Sequence, residues 1–355
     1  MAFVKPASIA RWRLAAQGVT TPRFDAAEDV VRSLGAMQAQ EYAYAKWSIG
    51  QRTPGQSDTT VTDAFARGAI LRTHVLRPTW HFVVPEDLRW LLAATAGRVH
   101  AMNAPYYAQF GVSGAVRAKG ESIIARLLDD GEARTRAEIA EVLEAKKLPS
   151  KGPSLAYVLM HAELEAVVCS GPPRGKQQTY VAFDRRVRKA RGKAPGLDEA
   201  LAMLARRYFE GHGPATVRDF AWWASLPMKE ARRAFAMVER DFAVREVDGR
   251  SWIYTGEPPA LPRARGRVDL LQGYDEIIVG YTESRDVLFV GGPPPKLLPM
   301  HAILVDGQLA GTFKTVPARG GAIAIETNLL RRFDEGETQS LTHAMDRMRR
   351  FVGKV

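Results

Sequence analysis

The chain of 355 residues has a single cysteine, Cys169. One thiol can form no disulfide within the chain and no cysteine-based metal site. Its setting, Ala166-Val-Val-Cys-Ser170, reads as a small core residue. Long hydrophobic runs are missing as well: no stretch reaches the roughly eighteen consecutive apolar residues that suggest a membrane span. The opening Met-Ala-Phe-Val-Lys-Pro lacks the apolar centre of a signal peptide, so a cytoplasmic, nucleoid location is expected. Several catalytic signatures are absent too. There is no glycine-rich phosphate loop of the P-loop type, no His-Glu-x-x-His and no Gly-x-Ser-x-Gly. Nucleotide hydrolysis, zinc proteolysis and α/β-hydrolase chemistry therefore lack support. The histidines fall without ligand spacing, so no metal and no other cofactor is expected. Acidic charge is the scarcer sign, with 39 Asp+Glu against 50 Lys+Arg and a net charge of +11. That balance favours a polyanionic partner, and nucleic acid is the commonest.

What is present is a recurring pattern. Residues 113–130 read as a helix with Ile123, Ile124, Leu127 and Leu128 on one face. Thr135-Arg-Ala-Glu138 is a capping box opening a second helix, and Ser154 can cap a third through about Glu165. Two short strands follow, Ala166–Ser170 and Thr179–Phe183. Three helices and then a hairpin is the winged-helix order. It recurs at once, with a helix over Leu197–Glu210, a capping box at Thr216–Asp219 and a third helix from Leu226 to about Glu239. Two strands then pair across Asp248-Gly249. The first hundred residues fit a looser version, with helices near 7–17, 25–35, 41–50, 59–67 and 85–98 around strands at Ala69–His74 and Thr79–Val84. The remainder is strand-rich. Strands are predicted at Asp269-Leu-Leu, Glu276–Val279, Val287–Val290, Ala302–Val305, Thr312–Lys314 and Ala322–Glu326, closed by a helix with Met345 and Met348. The expected fold is α+β and mainly helical: winged-helix-like segments at 1–112, 113–193 and 194–265, then an antiparallel, barrel-like domain at 266–355.

Met37-Gln-Ala-Gln40 carries the sharpest chemistry. Side chains at i and i+2 point the same way only on an extended backbone. The pair then either decorates a turn or grips one water molecule. A carboxamide accepts and donates hydrogen bonds but takes no proton at neutral pH. It can orient water and stabilise charge. Hydrolysis of the glycosidic bond of an N7- or N3-alkylated purine suits such catalysts, because the cationic base leaves without being protonated. No lysine lies within five residues of the pair, Lys46 being the nearest, so an amine nucleophile is not expected.

Arg72-Thr-His-Val-Leu-Arg-Pro-Thr-Trp-His-Phe82 adds His74, Arg77, Thr79 and His81 in a strand-like run, and all four are expected to bind DNA. Arg77 precedes a proline and so belongs on an extended edge, where a phosphate contact is plausible. Arg185-Arg-Val-Arg-Lys-Ala-Arg-Gly-Lys193 concentrates Arg185, Arg186, Arg188 and Lys189 in a linker that would track phosphates. Trp222 and Trp223 read as core, and Asp275-Glu276 as a structural pair on a strand, one member facing an arginine.

Four stretches together resemble the AlkZ/YcaQ-like family of winged-helix DNA glycosylases: Met37–Gln40, Arg72–Phe82, Gly213-Pro-Ala-Thr-Val-Arg-Asp-Phe-Ala-Trp-Trp223 and Gly273-Tyr-Asp-Glu-Ile-Ile-Val-Gly-Tyr281. The resemblance implies tandem winged helices around a DNA-sized cleft and a monofunctional glycosylase for alkylated purines, in some members interstrand crosslinks. It implies that Gln38 and Gln40 are the family's catalytic Gln-x-Gln. The implied partner is double-stranded DNA with alkylated bases, bound by a monomer. Gln272 stands where proline is expected, a departure away from the glutamine pair. The competing reading is a non-catalytic winged-helix regulator, which would footprint one sequence and leave the DNA intact.

Overall fold

A computed structural model describes residues 5–189, 193–256, 265–289, 300–318 and 322–353. About half of the chain is helical, and its sheets are antiparallel. The chain forms two compact units, one from 1–62 with 205–355 and the other from 63–204.

In the unit of residues 63–204, a hairpin comes first. Strand Leu71–Val75 pairs with Arg77–Val83, with a bulge at His74/Val75. The turn rests on Leu76, which adopts φ 62° although it has a side chain, a strained conformation for a γ-branched residue. The helix Pro85–Gln109 follows and runs well past its expected end. Helices Gly114–Leu127, Arg136–Ala145 and Gly152–Leu164 then precede the hairpin Val168–Ser170/Thr179–Ala182. The capping box is in place: Thr135 accepts from the Glu138 N–H and Glu138 accepts from the Thr135 N–H at 2.6 Å. Ser154 caps nothing, since its hydroxyl donates to the Phe110 carbonyl. One apolar core joins these helices to the hairpin through Ile124, Leu128, Ile139, Leu143, Leu159, Val168 and Tyr180. Each such side chain contributes about 1.5–3 kcal/mol by leaving water. Cys169 is fully buried, and that burial pushes its thiol up to about 12, so it behaves as the inert core residue expected.

The other unit opens with helices Pro6–Ala16, Ala27–Leu34 and Tyr42–Gly50. It resumes with Val217–Trp223 and Met228–Ala236, after the helix Leu197–His212 that carries the chain into it. The hairpin Ala243–Val247/Arg250–Tyr254 turns on Asp248 and Gly249, both at positive φ (51° and 72°), as a two-residue Asp-Gly turn demands. Trp223 is core, but Trp222 is half exposed.

Residues 266–355 depart most from expectation. Four strands, Val268–Gln272, His301–Val305, Gln308–Pro317 and Ile323–Leu329, form one antiparallel sheet with Val268–Gln272 and Ile323–Leu329 at its edges. Among the described residues it does not close into a barrel. Two predicted strands are helical instead. Glu276–Val279 is a short α-helix capped by Asp275, whose carboxylate accepts from the Ile277 N–H. Arg285–Leu288 is a 3₁₀ turn. Both segments are short apolar runs, and such runs read alike as strand or buried helix. The closing helix Glu335–Val352 is present, with a capping box between Asp334 and Glu337.

Candidate functional site

Met37–Gln38 is extended, and the chain bends at Gln40. Gln38 is buried and Gln40 is exposed. The backbone at Gln38 is held from far along the sequence: its N–H donates to Glu276 Oε1 at 2.9 Å. The other oxygen of Glu276 accepts from Trp223 Nε1 at 3.0 Å and lies 3.1 Å from His212 Nε2. Glu276 is almost fully buried, so these are contacts to a desolvated carboxylate. A charge-assisted hydrogen bond of this kind contributes about 1.5–3 kcal/mol.

Asp275, the preceding residue, anchors a second branch. Arg52 binds it bidentately at 2.7 and 2.8 Å, both side chains being wholly buried. Gln51 Nε2 also reaches Asp275, and Arg52 reaches Gln17 and the Ser48 carbonyl. Burial pushes the Asp275 carboxyl up, but the Arg52 charge and hydrogen bonds outweigh it and hold the group below the usual carboxylate range. A third branch runs from Asp219 to Ser284 and on to Arg13, which lies 3.5 Å from the Tyr281 ring. Asp275-Glu276 is thus a structural pair with an arginine partner, as expected. It sits on a helix rather than a strand, and its larger task, fixing Gln38, was not foreseen. Gly273 and Gly280 admit this packing. A Cβ on Gly273 would lie 2.1 Å from the Met300 carbonyl, and one on Gly280 would lie 2.8 Å from the His212 ring. The unexpected Gln272 is buried, and its side chain accepts from the Tyr274 N–H at the start of the same motif.

Lys46, the lysine nearest to the glutamine pair in sequence, is committed elsewhere. Its Nζ donates to Asp58 at 2.7 Å and to Thr62 at 3.0 Å.

The other predicted site residues belong to the second unit. His74 is buried, joined through Nδ1 to the buried Glu163, with its ring 4.0 Å from that of Trp80. Arg72 stacks on the other partner, its guanidinium 4.5 Å from the Trp80 ring. His81 is fully buried and takes its place between Thr79 and Arg77, donating to the Thr79 carbonyl at 2.9 Å and lying 3.4 Å from the Arg77 guanidinium. Burial first, and then the Arg77 charge, hold His81 well below the usual histidine range, so the ring is neutral at physiological pH. Arg77 and Thr79 are half-buried.

The basic cluster divides. Arg185 and Arg186 end a short helix, Phe183–Arg186, rather than lying in a linker. Arg186 donates to the carbonyls of Phe65 and Ala66, at 3.0 and 2.5 Å, and ties down the end of helix Asp58–Arg67. Arg185, Arg188 and Lys189 are exposed, with Lys189 3.7 Å from Asp184. Arg191 lies outside the described residues. A cavity of about 640 Å³ opens beside the hairpin and helix starts of this unit, bordered by Arg72, Trp80, Arg136, Lys151, Gln177 and Gln178. Cationic and aromatic side chains together are what a nucleic-acid backbone and its bases require.

The fold is that of a known class of DNA-repair protein. It matches the solved structure of Streptomyces sahachiroi DNA glycosylase AlkZ with a TM-score of 0.79 at 21% identity, covering 98% of this chain and 96% of that one. In sequence the chain is similar to a Streptomyces sahachiroi protein named Interstrand DNA cross-link repair glycosylase, 25% identical over 323 residues, 88% of this chain and 84% of the relative. Residues 31–351 match the family described as DNA glycosylase AlkZ-like, and the chain belongs to that family.

Proposed function

We propose that this chain is a monofunctional DNA glycosylase that hydrolyses the N-glycosidic bond of cationic N7- or N3-alkylated purines in duplex DNA, interstrand crosslinks included. Gln38 and Gln40 hold the attacking water. The observation that carries the reading is the buried Gln38 on a backbone clamped by Glu276, two residues before the exposed Gln40. A neutral carboxamide held in place can orient water and support a developing oxocarbenium ion at little reorganisation cost. In the reaction the C1′–N bond breaks and its electron pair neutralises the cationic base. Water then bonds to C1′ and releases its proton to solvent. No general acid is needed, and Lys46, the lysine nearest to the pair in sequence, is engaged by Asp58.

In this reading the two segments of three helices and a hairpin act as winged helices, and the division at 112, 193 and 265 marks successive modules. Arg77, oriented by the neutral His81, contacts a phosphate. Thr79 supports that edge, and His74, locked to Glu163, sets the hairpin against the core. Arg185, Arg188 and Lys189 add phosphate contacts.

The test is the substrate spectrum. Duplexes with N7-methylguanine should lose the base and keep an intact abasic strand, with no adduct trapped by borohydride and no dependence on added metal. Uracil, whose departure is not assisted by a positive charge, should be a poor substrate. Brisk uracil excision, or a trapped adduct, would overturn the reading. Sequence-specific footprinting without base loss would favour a regulator.

A further inference from the structure

A cluster in the 63–204 unit has no part in the chemistry above. His100 lies on helix Pro85–Gln109, and His161 on helix Gly152–Leu164. Glu165 caps the latter helix, four residues on from His161, so both project from one face. One donor atom from each of His100, His161 and Glu165 lies within 4.8 Å of the other two. We propose that these three residues bind a divalent transition-metal ion of the zinc class, with water in the open position.

Four observations support the site. His100 Nε2 lies 2.9 Å from Glu165 Oε1, so two of the donor atoms already face each other. His161 Nδ1 is buried and has no hydrogen-bond partner, in a residue that is nine-tenths buried. A buried nitrogen of this kind is destabilising unless something meets it. The outer shell is also built: Tyr107 Oη lies 2.9 Å from His100 Nδ1, which fixes the ring and turns Nε2 toward Glu165. Finally, the cluster borders an accessible cavity of about 510 Å³, so an ion has an entry path and room for a water ligand.

The donor set suits the ion. Two imidazoles and a carboxylate are borderline ligands that select zinc-like metals over calcium or magnesium. Glu121 Oε2 stands 3.4 Å from His161 Nε2, across the ring from Nδ1, and steadies the ring from outside the donor set. Around a tetrahedral zinc, donors sit about 3.4 Å apart, so closure by an ångström or so completes the set. Arg117, also on the cavity, would oppose a bare dication and favour an anion or hydroxide in the open position.

Tag-free protein, stripped with chelator and dialysed, would be titrated with zinc in competition with a chromophoric chelator. Metal content after gel filtration would be measured in parallel. The expected result is one zinc per chain, with His161→Ala and Glu165→Gln each weakening binding at least about a hundredfold. Exposed His343→Ala should leave it unchanged. Zinc should raise the melting temperature of the wild type but not of Glu165→Gln, whose near-isosteric side chain guards against simple misfolding. Substoichiometric zinc, or affinity unchanged in both variants, would overturn the proposal. Because metal content is the readout, that failure would leave the glycosylase reading intact.

Discussion

Gln38 and Gln40 reach the solvent to very different degrees. Gln38 is packed under the clamp of Glu276, whereas Gln40 stands in the open at the bend. Replacing either with alanine should lower the single-turnover excision rate by about tenfold to a hundredfold while duplex affinity stays within about twofold. A loss of affinity to match the loss of rate would mean that they bind rather than catalyse. Glu276→Ala should act on the fold as well as on the rate. It strands the Trp223 indole and the Gln38 N–H in a dry environment and should cost about 3 kcal/mol or more in denaturant unfolding. Asp275 sets an acid limit. Its folded pKa lies below the unfolded one, so the stability it supplies is complete above the ordinary carboxylate pKa of about 3.9 and is lost as pH falls through the folded value. Asp275→Asn should therefore be less stable than the wild type at neutral pH and lose less further stability on acidification from about pH 5. Parallel pH profiles of the two proteins would contradict this role.

At the scale of elements, periodicity and caps were the legible part. The helices around the Thr135 and Thr216 capping boxes and the hairpin across Asp248-Gly249 stand where local chemistry put them. Short apolar runs were not legible. Glu276–Val279 looks like a strand until the Asp275 cap and the buried partners of Glu276 are known, and those partners lie tens to hundreds of residues away. For the same reason the clamp on Gln38 could not be read from spacing, and neither could the proximity of His100, His161 and Glu165, which come from separate turns of two helices. The basic segment shows the converse limit. Charge density marked Arg185–Lys193 as one stripe, yet the fold gives Arg186 a different task from its neighbours. Arg188→Ala and Lys189→Ala should each reduce the salt slope of duplex binding by about one while leaving the melting temperature nearly unchanged. Arg186→Ala should lower the melting temperature and leave the slope alone. A slope reduced by all three alike would return Arg186 to the phosphate-binding stripe.

For the whole molecule, a net charge of +11 and family membership over residues 31–351 point to one activity carried by one polyanion. Within the unit that holds the glutamine pair, three buried branches from Asp219, Asp275 and Glu276 tie the early helices to the late Gly273–Tyr281 segment. The two ends of the sequence are thereby committed to a single site, and neither half should be competent alone. The most direct test of the central claim is single-turnover release of N7-methylguanine from a duplex by the wild type and by the Gln38→Ala/Gln40→Ala double variant, both at saturating protein. The account predicts rapid release by the wild type, an intact abasic strand, and release by the double variant slowed at least about a hundredfold at unchanged binding. Wild-type rates in the double variant would contradict it.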